Sequence, residues 1–124
     1  MIARLLAGLF RRTPSGITVA EAHAATNDGS ALLFDVRELQ EWQAGHAPQA
    51  DHIPLGRLED RLSELPRDRQ LITVCRSGRR SALAAHQLGG HGYQAINLTG
   101  GMTAWVDAGL PVVTANGHNP GRIV

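Results

Sequence analysis

The chain has 124 residues, of which 43% are hydrophobic and 19% charged, and 12 basic residues against 11 acidic ones leave a net charge of +1. At about 100–200 residues per domain this is one domain, able to bury about two-thirds of its unfolded surface without disulfide or metal staples. The hydrophobic content and small net charge exclude long disordered regions and a nucleic-acid footprint spread over the surface, so any basic patch is local.

In the first dozen residues, Ile2, Leu5, Leu6, Leu9 and Phe10 fall at i, i+3, i+4, i+7 and i+8, which predicts an amphipathic helix with Arg11 and Arg12 at its C-terminal end. Arg4 interrupts the apolar stretch and no small-residue cleavage pattern follows, so the segment is expected as a retained helix rather than a signal peptide. Thr13-Pro14-Ser15-Gly16 breaks it. From residue 17 onward short apolar runs alternate with helical patterns, which predicts an α/β fold on a mainly parallel sheet.

The expected elements follow in order. They are a strand Ile17–Val19, a helix Ala20–Thr26, a buried strand Ala31–Phe34 ending at Asp35, and a helix Glu38–Ala44. An extended piece His52–Leu55 and a helical face at Leu58, Leu62 and Leu65 come next, the latter ending before Pro66. Then come a strand Leu71–Val74, a helix Ser81–Leu88 closed by Gly89-Gly90, a strand Ala95–Leu98 and a helix Met102–Ala108 stopped by Gly109. Trp42 and Trp105 are expected in the core, and residues 114–124 as a mobile tail. No apolar run reaches the roughly 18 residues needed to cross a bilayer, and a cytoplasmic location is expected.

All 12 basic residues are Arg. P-loop, protein-kinase and Schiff-base chemistries each need a lysine and are therefore excluded. The single cysteine, Cys75, excludes an internal disulfide, a CxxC pair and multi-cysteine zinc sites. It is an inert core thiol, an intermolecular link or a nucleophile. Its surroundings, Cys75-Arg76-Ser77-Gly78-Arg79-Arg80-Ser81, favour the nucleophile, because the thiol stands at a strand's carboxyl end, before a helix that Ser81 can cap, among three arginines. Gly78 lets the loop curl its N–H groups inward as an anion nest. Arg76 and Arg80 are expected to face the ligand, whereas Arg79 also fits a solvated surface charge.

Other polar residues have blander readings. His46, Asp51 and His52 match no zinc spacing, nor do His86 and His91 astride Gly89-Gly90, and His46 is expected as a structural hydrogen-bonding residue. Asp35 and Arg37 either touch the site or form an ion pair that anchors neighbouring loops. Glu38 and Glu41 are expected on a solvated helix face.

Four motifs occur together: the Cys75–Ser81 loop, Asp35-Val36-Arg37, Gly45-His46-Ala47 leading into His52-Ile53-Pro54-Leu55, and Gly100-Gly101-Met102-Thr103-Ala104-Trp105. In them the chain resembles a single-domain rhodanese, a thiosulfate sulfurtransferase, over about residues 16–114, with residues 1–15 as helix and linker and 115–124 as tail. The resemblance implies a central parallel sheet flanked by helices, a cysteine that carries sulfur as a persulfide, and no metal or organic cofactor. Phosphatases similar to this fold place an arginine six positions after the cysteine, where this chain has Ser81. The shorter loop suits a terminal sulfur better than a phosphate.

The resulting expectation is catalysis by Cys75, with Arg76, Ser77, Gly78, Arg79, Arg80 and Ser81 binding substrate. Thiosulfate is the expected donor, favoured by Arg76, and cyanide or a cellular thiol the acceptor. A persulfide carrier for a dedicated protein partner and a non-catalytic rhodanese-like binding module are the alternatives. The N-terminal stripe packs on its own domain, on a second subunit to make a homodimer, or on an anionic membrane surface.

Overall fold

The computed structural model describes residues 12–13, 16–117 and 120–124. The expected amphipathic helix falls on residues 1–12, and residues 1–11 lie outside the described part. At its predicted end Arg12 instead starts β1 (Arg12–Thr13), which pairs antiparallel with β2 (Gly16–Ile17).

Thr18 ends the extended segment because its side chain accepts from the Glu21 N–H while Glu21 reaches back to the Thr18 N–H, a capping box that starts α1 at Val19 (Val19–Asn27). This places Val19 in a helix rather than in the predicted strand. A second box, Glu38 with Glu41, opens α2 (Leu39–Ala44). Between them runs β3 (Ala31–Asp35), followed after α2 by β4 (Ala50–His52). The Leu58–Leu62–Leu65 face is made by 3-10 turns, Leu55–Arg57 and Glu59–Glu64, not by an α-helix. The remaining elements are β5 (Gln70–Val74), α3 (Arg79–Gly90), β6 (Ala95–Asn97) and α4 (Gly101–Asp107).

The sheet has the order β4-β3-β5-β6, all parallel, with β2 bridging to Leu98 beyond β6. Side chains alternate across it with period two, which creates two cores. Leu33, Ile72 and Val74 point to the face covered by α1 and α4, where Trp105 is fully buried as predicted. Phe34, Leu71 and Cys75 point to the opposite face, against Ala84 and Leu88 of α3 and the 3-10 segment. Helix α3 runs through Gly89-Gly90, and the chain turns only at Gly92, whose φ is +86°.

Part of the expected mobile tail is tied down. The Arg122 N–H donates to the Ala44 carbonyl, the Gly121 N–H to the Val112 carbonyl, and Ile123 packs on the first core. No helix among the described residues is long and apolar enough to cross a membrane.

Gly101 lets the start of α4 approach the backbone of Cys75 and Arg76 closely. Its φ is +61°, and a Cβ there would lie 2.4 Å from the Cys75 carbonyl oxygen and 2.5 Å from that of Arg76. Both obstacles are backbone and cannot swing aside. Gly101→Ala is expected to destabilise the fold by about 3 kcal/mol or more, from the left-handed backbone and the displaced strand end together. Chemical denaturation of the purified variant checks this, and a loss below about 1 kcal/mol contradicts it.

Candidate active site

Strand β5 delivers Cys75 at its carboxyl end, and the N-terminus of α4 fixes the strand's exit. The Met102 N–H donates to the Cys75 carbonyl at 2.8 Å, while the Thr103 N–H and hydroxyl both donate to the Arg76 carbonyl at 3.1 Å. With its carbonyls held from below, the loop turns its N–H groups toward the sulfur. Gly78, at φ +109°, makes the turn and is the residue before α3. Its N–H donates to Cys75 Sγ at 3.1 Å, and the Ser81 hydroxyl lies 3.2 Å from the same atom.

Cys75 is 1% exposed. Burial pushes its thiol up, but the Ser81 hydroxyl and the backbone N–H groups of Ser81, Gly78 and Ser77 outweigh that and hold it below the usual cysteine value. The sequence pattern attributes this stabilisation to the helix N-terminus and the arginines together. The structure gives the larger part to hydrogen bonds from the loop.

The arginines divide. Arg76 and Arg79 are exposed. Arg80, expected to face the ligand, makes a two-pronged ion pair with Glu41 at 2.7 and 2.9 Å, joining α3 to α2. Glu41 is therefore not on a freely solvated face, and Arg80 beside it holds its carboxyl below the usual range despite partial burial. Glu38 is exposed, as expected.

Ser81 does not cap α3; Gly78 occupies the cap position. Buried and in the first helical turn, Ser81 bonds Asn97 Oδ1 at 2.6 Å, while Asn97 Nδ2 donates to the Gly78 carbonyl at 3.1 Å. Thr73 Oγ1 donates to the Ser81 carbonyl at 2.7 Å. Asn97 and Thr73 were absent from the predicted site. A signal existed, since each interrupts an apolar strand near its carboxyl end with a buried polar side chain, and such groups need partners.

Asp35 and Arg37 form the anchoring pair rather than a visible part of the sulfur's surroundings. Both are fully buried, with Arg37 Nη2 2.7 Å from Asp35 Oδ2 and also donating to the Gly45 carbonyl. Trp42, expected in the core, is only half-buried and stacks between His46 at 3.4 Å and His52 at 4.9 Å. His46 Nδ1 lies 2.7 Å from the Trp42 carbonyl oxygen, consistent with a structural hydrogen bond. A cavity of about 520 Å³ flanks the loop along Ser77, Gly78, Arg79, Asn97 and Gly100. Cys75 does not line it, so it is a neighbour of the sulfur rather than its pocket.

Comparison with known proteins agrees with this architecture. Residues 18–108 match the Rhodanese-like domain family. The chain is 39% identical over 101 residues to a sulfurtransferase of Allochromatium vinosum, covering 81% of this chain and 92% of that one. It is 40% identical over 80 residues to YrkF of Bacillus subtilis, whose name assigns it provisionally to the sulfur carriers; the match covers 64% of this chain and 43% of YrkF. A rhodanese-related protein from Thermoplasma volcanium has a similar structure, with a TM-score of 0.73 and 31% identity over 79% of this chain and 96% of that one. A strand-end cysteine under loop N–H donors, within a fold matched over most of its length, places the chain in the rhodanese-like domain family.

Proposed function

We propose that the protein is a thiosulfate sulfurtransferase acting through a persulfide on Cys75. The observation that carries this reading is the sulfur itself, buried at a strand end yet held toward the thiolate by the Gly78 N–H and the Ser81 hydroxyl. The Cys75 thiolate attacks the outer sulfur of thiosulfate. A bond forms to Sγ, the bond to the sulfite sulfur breaks, and sulfite leaves with its electron pair. Negative charge passes to the outer sulfur of the persulfide, where loop N–H groups are placed to receive it. Arg76 and Arg79 attract the doubly charged donor, and cyanide or a cellular thiol then removes the sulfur.

Intact-mass measurement after thiosulfate treatment tests the reading. One added sulfur atom, removed by cyanide, is the expected result, and its absence refutes thiosulfate as donor. The rate of persulfide formation is expected to rise with pH and level off below the ordinary thiol range, because the thiolate is the reacting form and its protonation is disfavoured. A second reading, a sulfur carrier serving a protein partner, is favoured by the likeness to YrkF. It predicts that a protein persulfide loads Cys75 where thiosulfate does not.

Arg80 supplies a further prediction. In Glu41→Gln the guanidinium loses its carboxylate partner and one negative charge leaves the rim of the site. The KM for thiosulfate is expected to fall several-fold, about 3–10-fold for one freed charge-assisted contact. Steady-state kinetics check this; an unchanged or higher KM means that Arg80 serves only to join the helices.

A further inference from the structure

Two acceptors lie within reach of one buried proton. Ser81 has no exposed surface, and its hydroxyl carries a single hydrogen, yet it stands 2.6 Å from Asn97 Oδ1 and 3.2 Å from Cys75 Sγ. Only one of them takes that proton at a time. The shorter contact favours Asn97 while the sulfur is a neutral thiol. An ionised sulfur accepts a charge-assisted bond and draws the proton to itself.

The rest of the contact shell leaves the hydroxyl little other freedom. Thr73 pins the Ser81 carbonyl, and Asn97 Nδ2 is engaged by the Gly78 carbonyl, so the amide is oriented with its oxygen toward Ser81. Rotating the hydroxyl is then the small motion available to this group, and it costs no backbone movement.

We propose that Asn97 is a positioning residue that shares the Ser81 proton with Cys75, holding it when the sulfur is uncharged and yielding it when the sulfur carries charge. The inference rests on the sulfur-transfer reading above for its role in the reaction. In that cycle charge leaves Sγ as the bond to the outer sulfur forms, and the Ser81 proton returns to Asn97 Oδ1. The hydroxyl thus supports the attacking thiolate without remaining bonded to the inner sulfur of the persulfide, and no oxidant, reductant or added proton is required.

The charged groups on the elements packed around Cys75 include Arg76 and Arg79, both exposed, Arg80 paired with Glu41 of α2, the buried Asp35–Arg37 pair after β3, exposed His86 on α3, and the exposed or half-buried Arg57, Glu59, Asp60, Arg61 and Glu64 of the 3-10 turns. Substitution at Asn97 changes none of these side chains. A shift on substitution therefore reports the shared proton or the loop's hydrogen bonds.

The single cysteine makes the test direct. Thiolate ultraviolet absorbance of the full chain is followed against pH, with Cys75→Ser protein subtracted as background. Asn97→Ala removes the competing acceptor and is expected to lower the Cys75 midpoint by about one pH unit. In a Ser81→Ala background the same substitution is expected to leave the midpoint where Ser81→Ala alone puts it. A raised or unchanged midpoint in the first case, or an equal fall in the second, overturns the proposal in favour of a purely structural Asn97.

Asn97→Asp keeps the oxygen and adds charge beside the sulfur. It is expected to raise the midpoint more with Ser81 present than in the Ser81→Ala background, because the direct repulsion is common to both and only the held proton differs; this comparison decides the matter if Asn97→Ala fails to fold, and equal rises overturn the proposal. The titration needs no sulfur donor. Its failure refutes proton sharing, whereas absence of a persulfide on the unsubstituted protein refutes the transfer reading and leaves the titration result standing.

Discussion

Cys75→Ser is expected to abolish thiosulfate-to-cyanide transfer, by about a thousand-fold or more, while leaving the fold intact. A hydroxyl in this nest is still a far weaker acid and nucleophile than a thiol, and the loop donors stabilise only a charge that has already formed. The stability change is expected to stay within about 1 kcal/mol, because serine oxygen accepts the same Gly78 N–H and Ser81 hydroxyl. Transferase assay together with a denaturant titration reads both quantities. Residual transfer above a few per cent of the unsubstituted rate would mean that sulfur moves without a covalent enzyme intermediate.

Asp35→Ala is expected to cost about 3–5 kcal/mol of stability. Both partners of the Asp35–Arg37 pair are fully buried, and Asp35 accepts from the Arg37 backbone N–H at 3.0 Å, from Nε at 2.9 and 3.1 Å, and from Nη2 at 2.7 Å. Arg37 Nη1 is already buried with no hydrogen-bond partner among the described residues. Removing the carboxylate would leave the guanidinium charge in the interior with the Gly45 carbonyl as the remaining acceptor for its side-chain hydrogen bonds. The double substitution Asp35→Ala with Arg37→Met is expected to recover much of the loss, since an apolar chain of similar length carries no charge to desolvate. Chemical denaturation of the two variants compares them; equal stabilities would show that the carboxylate acts by shaping the Val36 turn rather than by balancing charge.

Much of the fold is legible in the sequence. The apolar run Ala31–Phe34 and Leu71–Val74 could only be strands buried on both faces, and their alternation with helical patterns required a parallel sheet. Element ends were less legible, because they depend on hydrogen bonds between particular groups. The Thr18–Glu21 box moved Val19 into a helix, and the left-handed Gly78 started α3 two residues before Ser81. Residues 121–123 gave no periodic signal, yet their backbone groups find partners at Ala44 and Val112 once α2 and the end of the chain are brought together.

What the amino-acid order determined by itself was the chemistry at hand: one thiol, no lysine, three arginines in the loop after the thiol, and a glycine where that loop must curl. Spacing along the chain also excluded a phosphatase-length loop. Which groups brace the loop around the sulfur was decided only by tertiary structure, since Asn97 and Glu41 reach the loop from elements 16 to 39 residues away in the chain. Local sequence could assign the arginines a positive field but could not reveal that Glu41 occupies Arg80. Nor could it reveal that a buried hydroxyl from Ser81, rather than a guanidinium, lies against the thiol. The physical reason is range: backbone conformation follows from neighbours in sequence, whereas the pairing of buried polar groups follows from which strands and helices the core brings side by side.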